Sequence, residues 1–381
     1  MPHIPNLPPP APAITKSAPT SPPQVLVIGG LALDTTITPT SPVALHTSNP
    51  ARITSTPGGV AHNLHLALTR SSIRSHLITA LGTDPAGTTL ASLLPGTSTL
   101  LPSPLPSAQY ISLNTPTGSL YTAAADMSII SSTLTPAALT PILSTHSSTP
   151  YILADANIPA ATLHHIISHC RTTGQKFIFE PTSTAKTPRI LPQKTSAPLP
   201  LLHAAAPNSF ELTTLWETAK ERGWFDTPAW FKLIDELQLG ADFRERINNL
   251  RLPPCITDEG LVQKAIQCLP LCDNLWVKLG GDGCLITRVL RTRGEWEVAC
   301  EEDGVAWWGQ GVGVHVVWYK AEVPEEVVSV NGAGDTFLGV LVAGEVRGMR
   351  LGERVRTAQR AAVETLRVVG SVGDVGRVWR E

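Results

Sequence analysis

A glycine-rich turn between an apolar segment and a helix constrains this chain more than any other part of its 381 residues. Residues 327–330 are mostly valine and predict a short buried strand, and the apolar spacing after residue 336 predicts a helix. The first N–H groups of a helix lack intrahelical acceptors, and with the helix dipole they favour an anion such as phosphate. We therefore expect Gly332, Ala333 and Gly334 to form an anion-binding turn, where side chains at the two glycines would obstruct a phosphoryl group.

Asp335 follows this turn directly. A carboxylate does not ligate a phosphate, because like charges repel. Asp335 therefore suits one of two roles, either a cap of the helix or a base that takes a proton from an attacking hydroxyl. The sequence Gly-x-Gly-Asp is common, and by itself it leaves both roles open.

Two further glycine turns near the N-terminus are followed by polar side chains. Gly29-Gly30 ends an apolar strand and Asp34 lies just beyond it, at the end of the strand where open α/β sheets bind ligands. Gly58-Gly59 precedes a helix that carries Asn63, whose amide can both donate to and accept from sugar hydroxyls. A buried asparagine at a helix start is the competing interpretation of Asn63.

The alternation of apolar strands with amphipathic helices predicts an α/β fold whose mostly parallel sheet is covered by helices on both faces. The hairpin-like segments at about 35–55 and 108–126 do not fit this alternation, and we expect them to form a small β lid. A helical insertion is expected at about 214–262. Residues 1–23 are rich in proline, alanine and serine, and they predict a disordered tail or linker before a domain at 24–375.

Composition disfavours several classes of partner. The net charge of -2 gives no reason to expect binding to nucleic acid or to an anionic membrane surface. No apolar run has the length of a membrane span, and the first residues do not have the pattern of a signal peptide. The six cysteines show no zinc-ligand spacing and predict reduced thiols. We therefore expect a cytoplasmic location.

Together, the motifs of this chain resemble those of a known family, the ribokinase-like (phosphofructokinase-B type, pfkB) carbohydrate and nucleoside kinases, over residues 24–375. The resemblance rests on four motifs in this order: Gly29-Gly30 with Asp34, Gly58-Gly59 with Asn63, Asn208-x-x-Glu211, and Gly332-Ala-Gly-Asp335. It implies the three-layer α/β/α ribokinase-like fold with a small β lid. Segments 118–127, 155–157 and 180–186 look most like the pseudouridine kinase domain of fungal pseudouridine-metabolising proteins.

The resemblance also implies a reaction and a role for each motif. The reaction is ATP-dependent transfer of a phosphoryl group to a 5′-hydroxyl, with pseudouridine as the first candidate acceptor. Asp335 is then the catalytic base, beside an anion hole of Gly332, Ala333 and Gly334. The implied substrate-binding residues are Asp34, Gly58, Gly59 and Asn63. The residues associated with ATP and Mg²⁺ are Asn208, Glu211, Lys278, Gly280 and Gly283, and Mg²⁺ is held through phosphates and water near Glu211 without direct protein ligands.

Two positions depart from the family pattern, and several alternatives remain. Asn331 and Lys278 stand where the family usually has threonine. The acceptor could instead be ribose, adenosine or fructose, and for adenosine Tyr110 and Tyr121 are candidate aromatic contacts, although cross-strand packing explains them as well. A catalytically inactive sugar-binding homologue is a further alternative, which the intact motifs disfavour. The resemblance leaves open a homodimer through the lid and a need for a monovalent cation such as K⁺.

Overall fold

The computed structural model describes residues 14–16, 21–117, 119–193 and 197–380. Position 118, which lies in the predicted hairpin turn, is outside the described residues, as is most of the predicted tail. In chain order the strands are β1 (Ile14–Lys16), β2 (Val25–Ile28), β3 (Ala32–Pro39), β4 (Ala51–Gly58), β5 (Ser75–Gly82), β6 (Thr97–Ser103), β7 (Gln109–Asn114), β8 (Leu120–Asp126), β9 (Tyr151–Asp155), β10 (Lys176–Glu180), β11 (Leu202–Ala205), β12 (Cys272–Lys278), β13 (Cys284–Leu290), β14 (Val305–Trp308) and β15 (Gly313–Tyr319).

The helices alternate with these strands through most of the chain. They are α1 (Val60–Arg70), α2 (Pro85–Leu93), α3 (Ser128–Thr133), α4 (Pro136–Thr145), α5 (Ala160–Thr173), α6 (Ser209–Glu221), α7 (Pro228–Leu237), α8 (Ala241–Asn249), α9 (Pro254–Thr257), α10 (Leu261–Cys268), α11 (Arg293–Cys300), α12 (Ala333–Val346), α13 (Leu351–Leu366) and α14 (Val375–Val378). Helices α7, α8 and α9 lie in the range where a helical insertion was expected. No helix within the described ranges is long and apolar enough to cross a membrane.

The large sheet has the strand order β1-β6-β5-β2-β9-β10-β11-β12-β13-β15-β14. Strands β6, β5, β2, β9, β10, β11 and β12 run parallel, and the strands at either end of the sheet pair antiparallel. The central strands are short apolar runs because helices cover both of their faces. Since β2 and β9 are neighbours, residues far apart in sequence meet at the carboxyl ends of the strands.

Two separate hydrophobic clusters lie on the two faces of this sheet. One contains buried residues of α5, α6 and α10, and the other contains buried residues of α1, α12 and α13. Alternate residues of one strand supply both clusters, as Leu26 and Val27 of β2 do, because successive side chains of a strand point to opposite faces. The three-layer α/β/α architecture predicted from the sequence is confirmed.

A separate four-stranded sheet has the order β4-β3-β7-β8. Its strands occupy the two ranges in which a β lid was expected, and β3 and β4 begin and end at the glycine turns of the large domain. Every residue of β8 is exposed, from Leu120 to Asp126. The small sheet therefore extends away from the main core while its first two strands remain anchored beside β2 and α1.

One local prediction was wrong. Residues 327–330 do not form a strand: Val327 and Val330 are 49% and 71% exposed, and the N–H of Val328 donates to the Leu366 carbonyl of α13. Hydrogen bonding to the end of a neighbouring helix replaces sheet pairing for this segment. Residues 14–16 of the segment predicted as a tail form β1 and pair antiparallel with β6, because an edge strand offers free backbone groups to an extended segment. The assignment of 1–23 as a disordered tail or linker stays a prediction.

Candidate active site

Asp155, the last residue of β9, joins the two N-terminal glycine turns. Its Oδ2 accepts hydrogen bonds from the N–H groups of Gly30 at 2.8 Å and Ala61 at 3.0 Å. A side chain at Gly29 would collide with this carboxylate, which gives a steric reason for glycine there. The sequence analysis did not assign Asp155 to the site. The sequence does contain a feature that could have identified Asp155. This aspartate ends an apolar strand in a part of the chain where acidic residues are scarce.

Asp34 lies on β3 opposite the end of β4. A Cβ at Gly58 would overlap the Asp34 carboxylate, so the glycine makes room for this side chain. Burial, together with the negative charge of Asp335, raises the pKa of Asp34 to about 6. Asp34 and Asp335 are 301 positions apart in the printed sequence, and their electrostatic coupling shows that the fold brings them into one region.

Asn63 and Asp335 are in direct contact. The Asn63 Nδ2 donates to the Asp335 Oδ2 at 2.8 Å, although the residues are 272 positions apart. On its other side the Asn63 Oδ1 lies 3.3 Å from the Nδ1 of His62. A predicted sugar-binding amide and a predicted base therefore meet at the start of α12, between the large sheet and the lid.

The local structure of α12 bears on the choice between a cap and a base. Gly332 is the N-cap, with φ 74°, and no described side chain caps this helix start. Asp335 lies in the first turn and directs its carboxylate to Asn63. Burial raises the pKa of Asp335, whereas the Asn63 hydrogen bond and the Lys278 charge oppose the increase. A carboxylate that is more basic than usual and does not cap its helix is suited to accept a proton.

The predicted anion-binding turn also has a definite geometry. The positive φ of Gly332 favours glycine, and a Cβ at this position would collide with the carbonyl oxygen of Ser371. A Cβ at Gly334 would instead lie 3.7 Å from the Nζ of Lys278. The turn therefore combines first-turn N–H groups, the positive end of the α12 dipole and a nearby ammonium group, all of which favour an anion.

Asn208 and Glu211 form a capping box at the start of α6. The Asn208 N–H donates to the Glu211 Oε2 at 2.8 Å, and the Glu211 N–H donates to the Asn208 Oδ1 at 2.9 Å. This local exchange is a sufficient structural reason for the Asn-x-x-Glu spacing. Asn208 also forms a β-bridge with Lys278. The motif therefore stabilises α6 and places Glu211 beside the end of β12.

An apolar cavity of about 400 Å³ adjoins the anion-binding turn. Lys278, Gly280, Gly283, Val330, Gly334 and Phe337 are among its lining residues. A Cβ at Gly283, whose φ is 93°, would collide with the carbonyl oxygen of Tyr319, the last residue of β15. Val327 and Val330, two exposed residues of the segment 327–330, line this cavity instead of entering the sheet.

Comparison with known proteins relates this geometry to a family. Residues 256–375 match the model of the pfkB family of carbohydrate kinases. The chain resembles this family, as its motifs predicted. The matched segment contains the anion-binding turn, Asp335 and the glycines that line the cavity, whereas the residues of the two N-terminal turns lie outside it.

Individual relatives extend the similarity over most of the chain. A pseudouridine-metabolizing bifunctional protein of Schizosaccharomyces pombe is 28% identical over 365 residues, which cover 92% of this chain and 47% of that protein. This chain thus spans about half the length of that relative. The ribokinase of Arabidopsis thaliana, solved with ribose and ATP, aligns with a TM-score of 0.65 at 16% identity over 94% of this chain and 98% of that chain. The ribokinase of Cryptococcus neoformans, solved with ADP, aligns with a TM-score of 0.61 at 16% identity. The alignment covers 93% of this chain and 98% of that chain. These structural likenesses show that the fold is ribokinase-like.

The raised pKa of Asp34 gives a prediction on stability. A carboxyl with a higher pKa in the folded state than in the unfolded chain stabilises the fold only while it is protonated, so this contribution is lost as the pH rises through about 6. We expect Asp34→Asn to raise the free energy of unfolding by about 1 kcal/mol at pH 8, after allowance for solvent screening. The gain should vanish near pH 4. Urea denaturation at the two pH values measures the difference.

Asp126, also on the lid, provides the matched control for Asp34. Its exposed carboxylate accepts hydrogen bonds from the side chain and backbone of Ser128, and these lower its pKa. Asp126→Asn should therefore not stabilise the protein at pH 8. Equal effects of the two substitutions would contradict the account of Asp34.

Proposed function

We propose that this chain catalyses ATP-dependent phosphoryl transfer to the 5′-hydroxyl of a nucleoside or sugar, with pseudouridine as the acceptor and pseudouridine 5′-phosphate as the product. The observation that carries the proposal is the contact between Asn63 and Asp335 at the N-terminus of α12. It supports the proposal because the Asp335 carboxyl, whose pKa is raised, contacts an amide at the start of the helix whose first residues line the apolar cavity. These are the groups that phosphoryl transfer requires.

In the proposed mechanism, Asp34, Asn63 and the glycines Gly58 and Gly59 hold the acceptor beneath the lid. Asp335 accepts the proton of the 5′-hydroxyl as the oxygen attacks the terminal phosphorus of ATP. The N–H groups of Gly332, Ala333 and Gly334 stabilise the negative charge on the phosphoryl group during transfer. ADP leaves when the bond between the terminal phosphorus and its bridging oxygen breaks.

The apolar cavity is the proposed nucleotide site. Val330 and Phe337 offer apolar surface for the adenine ring, and Lys278 lies where the cavity meets the anion-binding turn. Gly280 and Gly283 keep the backbone free of side chains beside the nucleotide. Pockets of this kind, mostly apolar with a few polar groups at one end, are typical small-molecule sites.

The donor set suits a magnesium ion bound mainly by phosphates and water. Within the part of the chain that the structure describes, no group of three or more His, Cys, Asp or Glu residues could hold a metal ion. Mg²⁺ usually keeps several waters and takes few protein ligands at phosphate sites. One Glu211 oxygen accepts the Asn208 N–H, which leaves the other for a metal-bound water. When bound, the ion would offset part of the negative charge of the phosphates.

Glu211→Gln separates the capping role from the magnesium role. Glutamine also completes a capping box, so we expect the melting temperature to change little. The loss of negative charge should raise the Mg²⁺ concentration for half-maximal turnover by about tenfold or more. Glu295→Gln is the control, because Thr292 and Glu295 form a second capping box at α11. Identical Mg²⁺ dependence of both variants would show that Glu211 only caps its helix.

Pseudouridine is proposed as acceptor on two grounds. One is the resemblance of segments 155–157 and 180–186 to pseudouridine kinases, and the other is the S. pombe relative, whose name describes pseudouridine metabolism. Ribose, adenosine and fructose remain alternative acceptors, and an inactive sugar-binding homologue remains the alternative to an enzyme. We propose residues 24–375 as the kinase domain and the small sheet as its lid. The cytoplasmic location stays a prediction, and a homodimer through the lid and a need for K⁺ stay open.

The test is ADP release from MgATP with the purified chain in the presence of pseudouridine, uridine, adenosine, ribose or fructose. Turnover with pseudouridine alone, abolished by Asp335→Asn, would support both the substrate and the base. Turnover with another acceptor would support the proposed mechanism and contradict the proposal that pseudouridine is the acceptor. A folded protein that binds ATP but phosphorylates none of these compounds would favour the inactive homologue.

A further inference from the structure

A buried ion pair connects the ends of two strands beside the anion-binding turn. The Nζ of Lys278, the last residue of β12, donates to the Oε2 of Glu180, the last residue of β10, at 2.7 Å. The side chains are only 16% and 4% exposed. Strands β10, β11 and β12 run parallel, so their carboxyl ends share the edge of the sheet at which α/β proteins bind ligands.

The pair lies in an electrostatically unbalanced cluster. Besides Glu180, the carboxylates of Glu211 and Asp335 act on Lys278, so one ammonium group faces three acidic side chains. Burial alone would lower the pKa of Lys278, but these carboxylates raise it and keep the ammonium charged. Burial raises the pKa of Glu180 to about 7, although Lys278 opposes the increase; Asp335 and Glu211 raise it further.

Stability alone is a weak explanation for such a pair. The cost of removing both charges from water often equals or exceeds their mutual attraction, and apolar residues would fill the same space as well. The position of the ammonium offers another explanation. Its Nζ lies 3.7 Å from the point that a Cβ on Gly334 would occupy, and Lys278 is the one cation among the described residues that line the cavity.

We propose that Lys278 is a catalytic residue that contacts the terminal phosphate of ATP and the phosphoryl group in transfer, and that Glu180 is a positioning residue that holds the ammonium at the anion-binding turn. This inference rests on the kinase function proposed above. During transfer the bond between phosphorus and the ADP oxygen breaks, a bond to the acceptor oxygen forms and the hydroxyl proton passes to Asp335. Lys278 remains protonated throughout and offsets the charge on the equatorial phosphoryl oxygens.

The first test compares affinities for a triphosphate and a diphosphate. We would titrate wild type and Lys278→Met with a non-hydrolysable ATP analogue and with ADP, and measure kcat with the best acceptor. Loss of a contact to the terminal phosphate weakens binding of the ATP analogue but not of ADP. In Lys278→Met the ratio of the Kd for the analogue to the Kd for ADP should therefore rise about tenfold or more. The value of kcat should fall about a hundredfold or more. Lys264→Met is the control, because Lys264 donates to the neutral Thr213 hydroxyl and is not among the described residues that line the cavity.

A second set of variants keeps the test decisive if Lys278→Met folds poorly with Glu180 left unpaired. The double variant Glu180→Gln/Lys278→Met removes both charges and should fold. If the pair is merely structural, the double variant should recover both kcat and the ratio of affinities. If the proposal is correct, it should fold but retain both losses. Glu180→Met removes the acceptor that holds the ammonium and should raise the Kd ratio about tenfold. Glu180→Gln retains an oxygen acceptor and should stay within about threefold of wild type. Equal ratios in these two variants would overturn the positioning role of Glu180.

The outcomes separate this inference from the proposed kinase function. Suppose that the wild type turns over. The role of Lys278 is then overturned if Lys278→Met keeps its Kd ratio and kcat, or if the double variant recovers both. Either result leaves the proposed kinase function standing. A wild-type protein that does not bind ATP would overturn both proposals.

Discussion

Asp335→Asn is expected to lower kcat by about a thousandfold or more, because the amide cannot accept the proton of the attacking hydroxyl. The fold should survive, since the introduced amide would retain an oxygen to accept the Asn63 hydrogen bond and the substitution removes a buried charge. We therefore expect the melting temperature to be maintained or raised. The measurement is steady-state ADP release with the best acceptor, beside thermal unfolding of the same preparation.

Asp84→Asn is the matched control for this substitution. Asp84 is the N-cap of α2, where its Oδ1 accepts the Gly87 N–H and its Oδ2 accepts the Ser107 N–H. Asparagine caps helices about as well as aspartate and would lose only the bond to the Ser107 N–H. This variant should retain kcat within about twofold, as most surface changes away from a site do. Near-normal turnover of Asp335→Asn would instead eliminate Asp335 as the base and return it to a structural role.

Gly332→Ala is expected to have the second large effect. The added methyl group would collide with the Ser371 carbonyl oxygen, and the residue would have to adopt a positive φ. Relief of this overlap must move the turn whose N–H groups are proposed to bind the phosphoryl group. We expect kcat to fall about a hundredfold or more and the free energy of unfolding to fall by about 2–4 kcal/mol. Enzyme kinetics and urea denaturation measure the two effects.

Gly348→Ala separates backbone strain from displacement of the turn. Gly348 follows the other end of the same helix and has φ 72°, but a Cβ there would meet no atom within 4 Å. It should cost about 1 kcal/mol of stability, from the unfavourable backbone angle alone, and leave kcat unchanged. Equal losses of turnover in both glycine variants would mean that strain in α12, and not the shape of the turn, limits activity.

Parts of this protein with local causes could be predicted from sequence. The alternation of strands and helices, the lid segments and the Gly-Gly turns are encoded in residues a few positions apart, and the predicted α/β fold is confirmed by the architecture. The Asn208-x-x-Glu211 spacing shows the limit of such inference. The structure finds it in a capping box, so one local pattern fits both a structural and a functional role.

Tertiary partners explain two local features that the sequence did not predict. The segment 327–330 has the composition of a strand, but hydrogen bonding of Val328 to Leu366 placed it beside α13. In the tail, β1 forms because β6 lies at the edge of the sheet and accepts a partner. The intrinsic preference of a residue for a strand is weak. Whether a segment becomes a strand depends on whether another strand is available to pair with it.

The sequence by itself determined which glycines allow close approach, where helices and strands alternate and which acidic and amide side chains follow the turns. Only the tertiary structure decided that Asn63 would contact Asp335, that Asp155 would join two turns and that Lys278 would pair with Glu180. These contacts span 98 to 272 positions in the chain for the three pairs Asn63–Asp335, Asp155–Gly30 and Lys278–Glu180. Local periodicity carries no information on such distances, because the packing of parallel strands and their covering helices determines which ends of the chain meet.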